Sequence, residues 1–129
     1  MYPEDIALNG DTETTPATAE GSVTYSLSSL SDSGSKRAVS ALANTNPQTL
    51  TINHQISKKG NYSRRRTVVR IDGTVDDADE GLVPYGAYTV VDAPIGTAVT
   101  SANVTAAVGR LLAFLSTSGY VDKLLNGEP

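Results

Sequence analysis

From Thr49 to Ser57 the chain alternates without a break, with Leu50, Ile52, His54 and Ile56 on one parity and Thr51, Asn53, Gln55 and Ser57 on the other. A period of two belongs to a strand with one face packed and the other in water. A second run, Arg65 to Asp72, sets Thr67, Val69 and Ile71 against Arg66, Val68, Arg70 and Asp72. The linking Lys58-Lys59-Gly60-Asn61-Tyr62-Ser63 is short, polar and contains Gly, so the two strands are expected to pair antiparallel as a hairpin. Pairing them places the Thr51/Asn53/Gln55/Ser57 row beside Arg66 and Arg70. One face of the hairpin is then rich in hydrogen-bonding groups and positive charge.

The rest of the chain fits around this hairpin. Turn formers punctuate residues 1 to 48, at Asn9-Gly10-Asp11, Thr15-Pro16, Glu20-Gly21, Ser31-Asp32-Ser33-Gly34 and Asn44-Thr45-Asn46-Pro47. Short strands are expected between them near Asp5 to Leu8, at Ser22 to Ser28 and at Lys36 to Ala43. A further strand reads from Tyr85 to Ala93, ended by Pro94, with Ala87, Thr89, Val91 and Ala93 turned inward and Tyr88, Val90 and Asp92 on the polar side. The period then changes to 3.6, with Val104, Val108, Leu111, Leu112 and Leu115 forming one apolar stripe. Thr100 or Ser101 is the expected N-cap, Gly119 the closing glycine, and Tyr120 to Asn126 a second short helix. Gly109, in the middle of the first helix, either permits a close backbone approach or is merely tolerated, and the long stripe on a thin domain is expected to pack on a partner subunit as well as its own sheet. Strands followed by helices imply an α+β domain with the helices on one side of an antiparallel sheet. At 129 residues the chain is expected to be a single domain: 1–35 an N-terminal hairpin region, 36–93 the sheet, 100–127 the helices.

Charge is distributed unevenly over that framework. Lys58, Lys59, Arg64, Arg65, Arg66 and Arg70 are six of only ten basic residues, in a chain whose net charge is −4. Asp72, Asp76, Asp77, Asp79 and Glu80 follow, with no Lys or Arg until Arg110. An acidic protein does not attract a polyanion through its mean field, so any such affinity must come from local placement. The strip is either a solvated face balanced by the acids after it or a set of phosphate contacts. Arg for phosphate, amides for base edges and an aromatic such as Tyr88 for stacking are what single-stranded or looped RNA requires.

Other chemistry is sparse. With no Cys and one His, thiolate zinc sites, disulfides, cysteine nucleophiles and histidine metal clusters are excluded. His54, flanked by Ile52 and Ile56, reads as a packed histidine bonded to a backbone group. Asp76-Asp77-Ala78-Asp79-Glu80 lacks the ligand spacing and glycine of a calcium loop and reads as solvated. No metal, cofactor, small-molecule substrate or catalytic residue is assigned, and an enzyme is not expected. No run approaches the roughly 18 apolar residues of a membrane span, and the acidic start does not read as a secretory signal.

Leu50-Thr-Ile-Asn-His-Gln-Ile-Ser57, Arg64-Arg-Arg-Thr-Val-Val-Arg-Ile71, Val83-Pro-Tyr-Gly-Ala-Tyr-Thr-Val-Val91 and Arg110-Leu-Leu-Ala-Phe-Leu115, in this order, resemble the coat proteins of the single-stranded RNA bacteriophages. The resemblance implies an N-terminal β-hairpin, a five-stranded antiparallel sheet and two C-terminal helices packed across a partner. It implies an obligate homodimer that builds an icosahedral virion shell in the host bacterial cytoplasm. The sheet would face inward onto genomic RNA and bind an RNA hairpin that represses translation. By strand position the RNA face would be Thr51, Asn53, Gln55, Ser57, Arg66, Val68, Arg70 and Tyr88, with Arg66 and Arg70 each contacting a phosphate. The loop from Gly73 to Pro84 would cluster at the symmetry axes. A non-viral structural or adhesive β subunit and a cellular RNA-binding module remain as alternatives, the first giving no reason for the sign reversal after Arg70.

Overall fold

The computed structural model describes residues 2, 4–9, 22–39 and 48–129. Within them, β1 (Asp5–Asn9), β2 (Ser22–Ser31), β3 (Gly34–Ala38), β4 (Gln48–Lys59), β5 (Tyr62–Asp77) and β6 (Gly81–Ile95) precede α1 (Ser101–Ser116) and α2 (Tyr120–Leu125). The strands form one antiparallel sheet in the order β1-β2-β3-β4-β5-β6, so each pairs with its neighbours in sequence. The expected N-terminal hairpin is therefore not separate from a five-stranded sheet, because β2 pairs with β3 and carries β1 into the same layer. The strand expected over Lys36 to Ala43 is β3, which begins earlier; its later residues, 40–43, lie outside the described ones.

Two boundaries move for local reasons. The turn between β4 and β5 is only Gly60-Asn61, with Lys59 paired to Tyr62. Gly60 has φ 65°, and no non-glycine among the described residues has positive φ, which is the type II′ arrangement with Gly first. Arg64 consequently lies in the strand and not in a loop. At the other end of β5, much of the expected Gly73–Pro84 loop is paired strand, with Thr74 opposite Pro84 and Val75 opposite Val83. The turn shrinks to residues 78–80, where Asp77 Oδ1 accepts from the backbone N–H of Asp79 at 2.8 Å and of Glu80 at 3.0 Å.

Pro94 does not end β6, which runs on to Ile95. Pro84 and Pro94 share a parity, and both are tolerated because β6 is the edge strand. Their missing N–H groups fall at positions that would point off the open edge.

The apolar face of the sheet carries little core. Among the described residues only Tyr25, Leu50 and Ile52 are buried apolar side chains. Beside them Tyr25 donates to Gln48 Oε1 at 2.8 Å, and Gln48 Nε2 donates to Tyr85 at 3.5 Å. Gly73 is needed there, since a Cβ would overlap the Tyr85 ring laid across it. Arg37, also buried, donates to the Glu4 carbonyl at 3.1 Å and to Ser35 at 2.7 Å. His54 bonds a side chain and not a backbone group, its Nδ1 lying 2.8 Å from Thr67 Oγ1 across the strand pair.

Thr100 caps α1 as expected, forming a reciprocal box with Asn103. Gly119 is not the end of α1, which closes at Thr117; with φ 78° it caps the start of α2. The α1 stripe is not buried in its own subunit, and Leu111, Leu112, Phe114, Leu124 and Leu125 are exposed. A Cβ on Gly109 would meet nothing within 4 Å, so no close approach inside the protomer explains that glycine. Between α1 and β6 runs an apolar groove of about 330 Å³, lined by Val91, Val99, Val104, Val108 and Leu111 among others.

Candidate nucleic-acid interface

Residues directly opposite each other in an antiparallel sheet share a face, so the register settles which side chains stand together. Thr51 pairs with Arg70, Asn53 with Val68, Gln55 with Arg66 and Ser57 with Arg64. On the far side of β5, Arg70 pairs with Tyr88, Val68 with Val90, Arg66 with Asp92 and Arg64 with Pro94. All the residues expected on the polar face, Thr51, Asn53, Gln55, Ser57, Arg66, Val68, Arg70 and Tyr88, therefore lie on one side. Tyr88, Val90 and Asp92 share it as expected, while Ala87, Thr89, Val91 and Ala93 look the other way.

Two cations join this face that the sequence reading left out. Arg64 enters because the preceding turn is short. Lys36 enters through β3, where it pairs with Thr51. Its register depends on the connection through residues 40–47, whose length fixes no turn type, so no local signal pointed to it. The basic strip is at the same time split in two, because Lys58 and Arg65 take the opposite parity and leave the face.

Arg64 and Arg70 are already matched to carboxylates. Arg64 Nε donates to Asp92 Oδ1 at 2.9 Å, and this hydrogen bond is the main reason its guanidinium is held above its ordinary pKa. Arg70 Nε donates to both oxygens of Asp72, at 2.7 and 2.9 Å. Its guanidinium carbon also lies 5.6 Å from the Tyr88 ring centroid, and Tyr88 is 63% exposed. Among the described residues Lys36 and Arg66 carry no ion pair. Both ion pairs are partly open to water and contribute little to stability, so they are matters of positioning more than of folding. A run of Ser and Thr completes the surface, and a shallow hollow of about 320 Å³ lies where Ser29, Ser31, Gly34, Lys36, Thr51 and Asn53 meet.

No cluster of acidic or histidine side chains among the described residues is arranged to hold a metal ion. The groups that do converge are donors, acceptors, an aromatic ring and a few cations on an open, shallow sheet.

The described residues thus form a single antiparallel sheet with two C-terminal helices, and none of them covers its polar face. Neither a family model nor a curated protein sequence matches the chain. Solved structures do. A subunit of the virus-like particle of Wenzhou levi-like virus 4 superposes with a TM-score of 0.68 at 18% identity, covering 95% of this chain and 86% of that one. Those of bacteriophage ESE020 (TM-score 0.66, 19% identity) and bacteriophage AVE019 (0.62, 14%) each cover 98% of this chain and 97% of theirs. Along nearly the whole chain the fold is that of these virus-like-particle subunits.

Proposed function

We propose that this chain is a viral coat protein that dimerises, assembles into an icosahedral shell and packages single-stranded RNA against the polar face of its sheet. The observation that carries the reading is the combination of an uncovered donor-rich sheet face with helices whose apolar side chains have nowhere to go within one subunit. The likeness to subunits of phage virus-like particles supports a chain that assembles into a shell.

The apolar side argues for a second copy. The protomer exposes 9430 Å², whereas a compact monomer of 13.5 kDa exposes about 6,500 Å². The open edge of β6 and the adjacent α1 groove together offer a place where a partner's β6 would extend the sheet and its helices would cover exposed Leu and Val side chains. Pairing of this kind removes two strand edges at once.

On the other face, Arg66, Lys36 and the exposed amides Asn53 and Gln55 supply contacts to the RNA backbone and base edges, with Tyr88 for stacking. An RNA hairpin bound to the same face would make the protein a translational repressor as well. Expression of the chain alone in bacteria tests the reading: large particles containing nuclease-protected host RNA are expected. A small RNA-free monomer on size exclusion would refute it and favour a structural or adhesive subunit.

A further inference from the structure

Arg66 and Arg70 are alike in sequence terms, both on β5, on one face and exposed, yet the structure separates them. Arg66 has no carboxylate partner among the described residues. Arg70 is fixed by three neighbours. Asp72 holds its Nε through both carboxylate oxygens, Tyr88 lies beside its guanidinium, and Gly86, opposite Asp72 on β6, leaves the space the pair occupies. A Cβ at Gly86 would come within 2.7 Å of Asp72 Oδ1 and 3.7 Å of Arg70 Nη2.

We propose that Arg70 recognises the N7/O6 edge of an unpaired guanine instead of a phosphate, and that Asp72 is the positioning residue that makes it do so. The inference rests on the RNA reading above. A phosphate approaching Arg70 sets a second negative charge beside Asp72, and like charges a few ångströms apart repel. A base edge brings no charge. With Nε taken by Asp72, the two Nη groups remain as a pair of donors of fixed direction, and guanine offers them two adjacent acceptors, N7 and O6, on its Hoogsteen edge. Adenine presents a donor next to N7 and uracil an N–H between its two carbonyls; N3 and O2 of unpaired cytosine are the other adjacent pair, and a cytosine-centred oligomer that binds as tightly as the guanine one would overturn the assignment. The exposed Tyr88 ring lies alongside for a base to stack on. Arg66 and Lys36, which carry no ion pair among the described residues, are left to meet the phosphates.

The test uses the purified protein freed of host RNA and a labelled oligouridine twelve-mer whose central base is uracil, guanine, cytosine, hypoxanthine or 7-deazaguanine. The guanine oligomer is expected to bind about tenfold tighter than the uridine one. Hypoxanthine, which keeps N7 and O6, should retain that preference, and 7-deazaguanine should lose it. Asp72→Asn is expected to abolish the preference and to steepen the salt dependence by about 0.7 in log-log slope, as the released Arg70 takes a phosphate. Arg70→Lys keeps the charge but not the fork, and should also lose the preference. Equal binding of guanine and uridine oligomers by the unmodified protein overturns the proposal while leaving the RNA reading intact. So does an Arg70→Ala variant whose salt slope flattens as much as that of Arg66→Ala. Failure to bind any oligomer overturns both.

Discussion

At the residue scale, neighbours decide what a charge does. Arg66 is expected to contribute one phosphate contact, so Arg66→Ala should weaken binding to every RNA sequence alike and reduce the log-log salt slope by about 0.7 in a titration between low and moderate salt. Asp77 shows the same dependence on surroundings with the opposite charge. Its carboxylate accepts the Asp79 and Glu80 backbone N–H groups, which holds its pKa below the ordinary value. A folded pKa below the unfolded one means that the ionised form supports the turn above the usual aspartate range, and that this support is lost as pH falls through the lowered value. The amide resonances of Asp79 and Glu80 should therefore shift together on acidification below about pH 4, and Asp77→Asn should remove most of that titration. An unchanged titration in the variant would show that Asp77 does not hold the turn. Face membership of Arg66, Arg70, Asp72 and Asp92 was readable from parity alone. Their ion pairs were not, because Arg70 with Asp72 and Arg64 with Asp92 depend on where long side chains lie and on the absence of a Cβ at Gly86.

At the element scale, β6 limits how a partner can pair with it. Pro84 and Pro94 cannot donate, so ladder bonds to a second copy are confined to the segment between them, whose midpoint is Thr89. If two β6 strands meet about a two-fold axis with the prolines opposed, Thr89 faces its own symmetry mate at a close, non-hydrogen-bonded position. Because the chain has no Cys, Thr89→Cys gives a clean assay: mild oxidation should yield a covalent dimer, and Ala93→Cys should not. Cross-linking at 93 but not 89 would place the axis elsewhere. The sequence located β4 to β6 and both helices well, since alternation and the 3.6-residue stripe are strong signals there. It misplaced the element ends. Gly60-Asn61 makes a tighter turn than six polar residues imply, and Thr74 and Val75 stay in the ladder although acidic residues surround them.

At the scale of the whole molecule, burial is incomplete in one subunit. Three buried apolar side chains among the described residues and exposed leucines on α1 and α2 leave little to hold an isolated protomer together. Unfolding of the dissociated protein should therefore depend on its concentration, with the midpoint in denaturant rising as subunit concentration is raised across two decades. A midpoint independent of concentration would mean that the protomer is stable alone. This incompleteness was only partly visible beforehand. The apolar stripe from Val104 to Leu115 was plain in the sequence, but a stripe does not say whether its own sheet or another copy covers it. The same limit applied to the polar face, where the register with β3 had to be seen before Lys36 took its place.

The order of the strands carries a consequence for how the protein comes into being. Every strand pairs with the one before it in sequence, so no pairing needs a distant part of the chain and the sheet can zip up in the order it is synthesised. The helices emerge last, with their leucines uncovered. If two copies pair as proposed, maturation divides into a fast step within one molecule and a slower one whose rate is set by how soon two finished molecules collide.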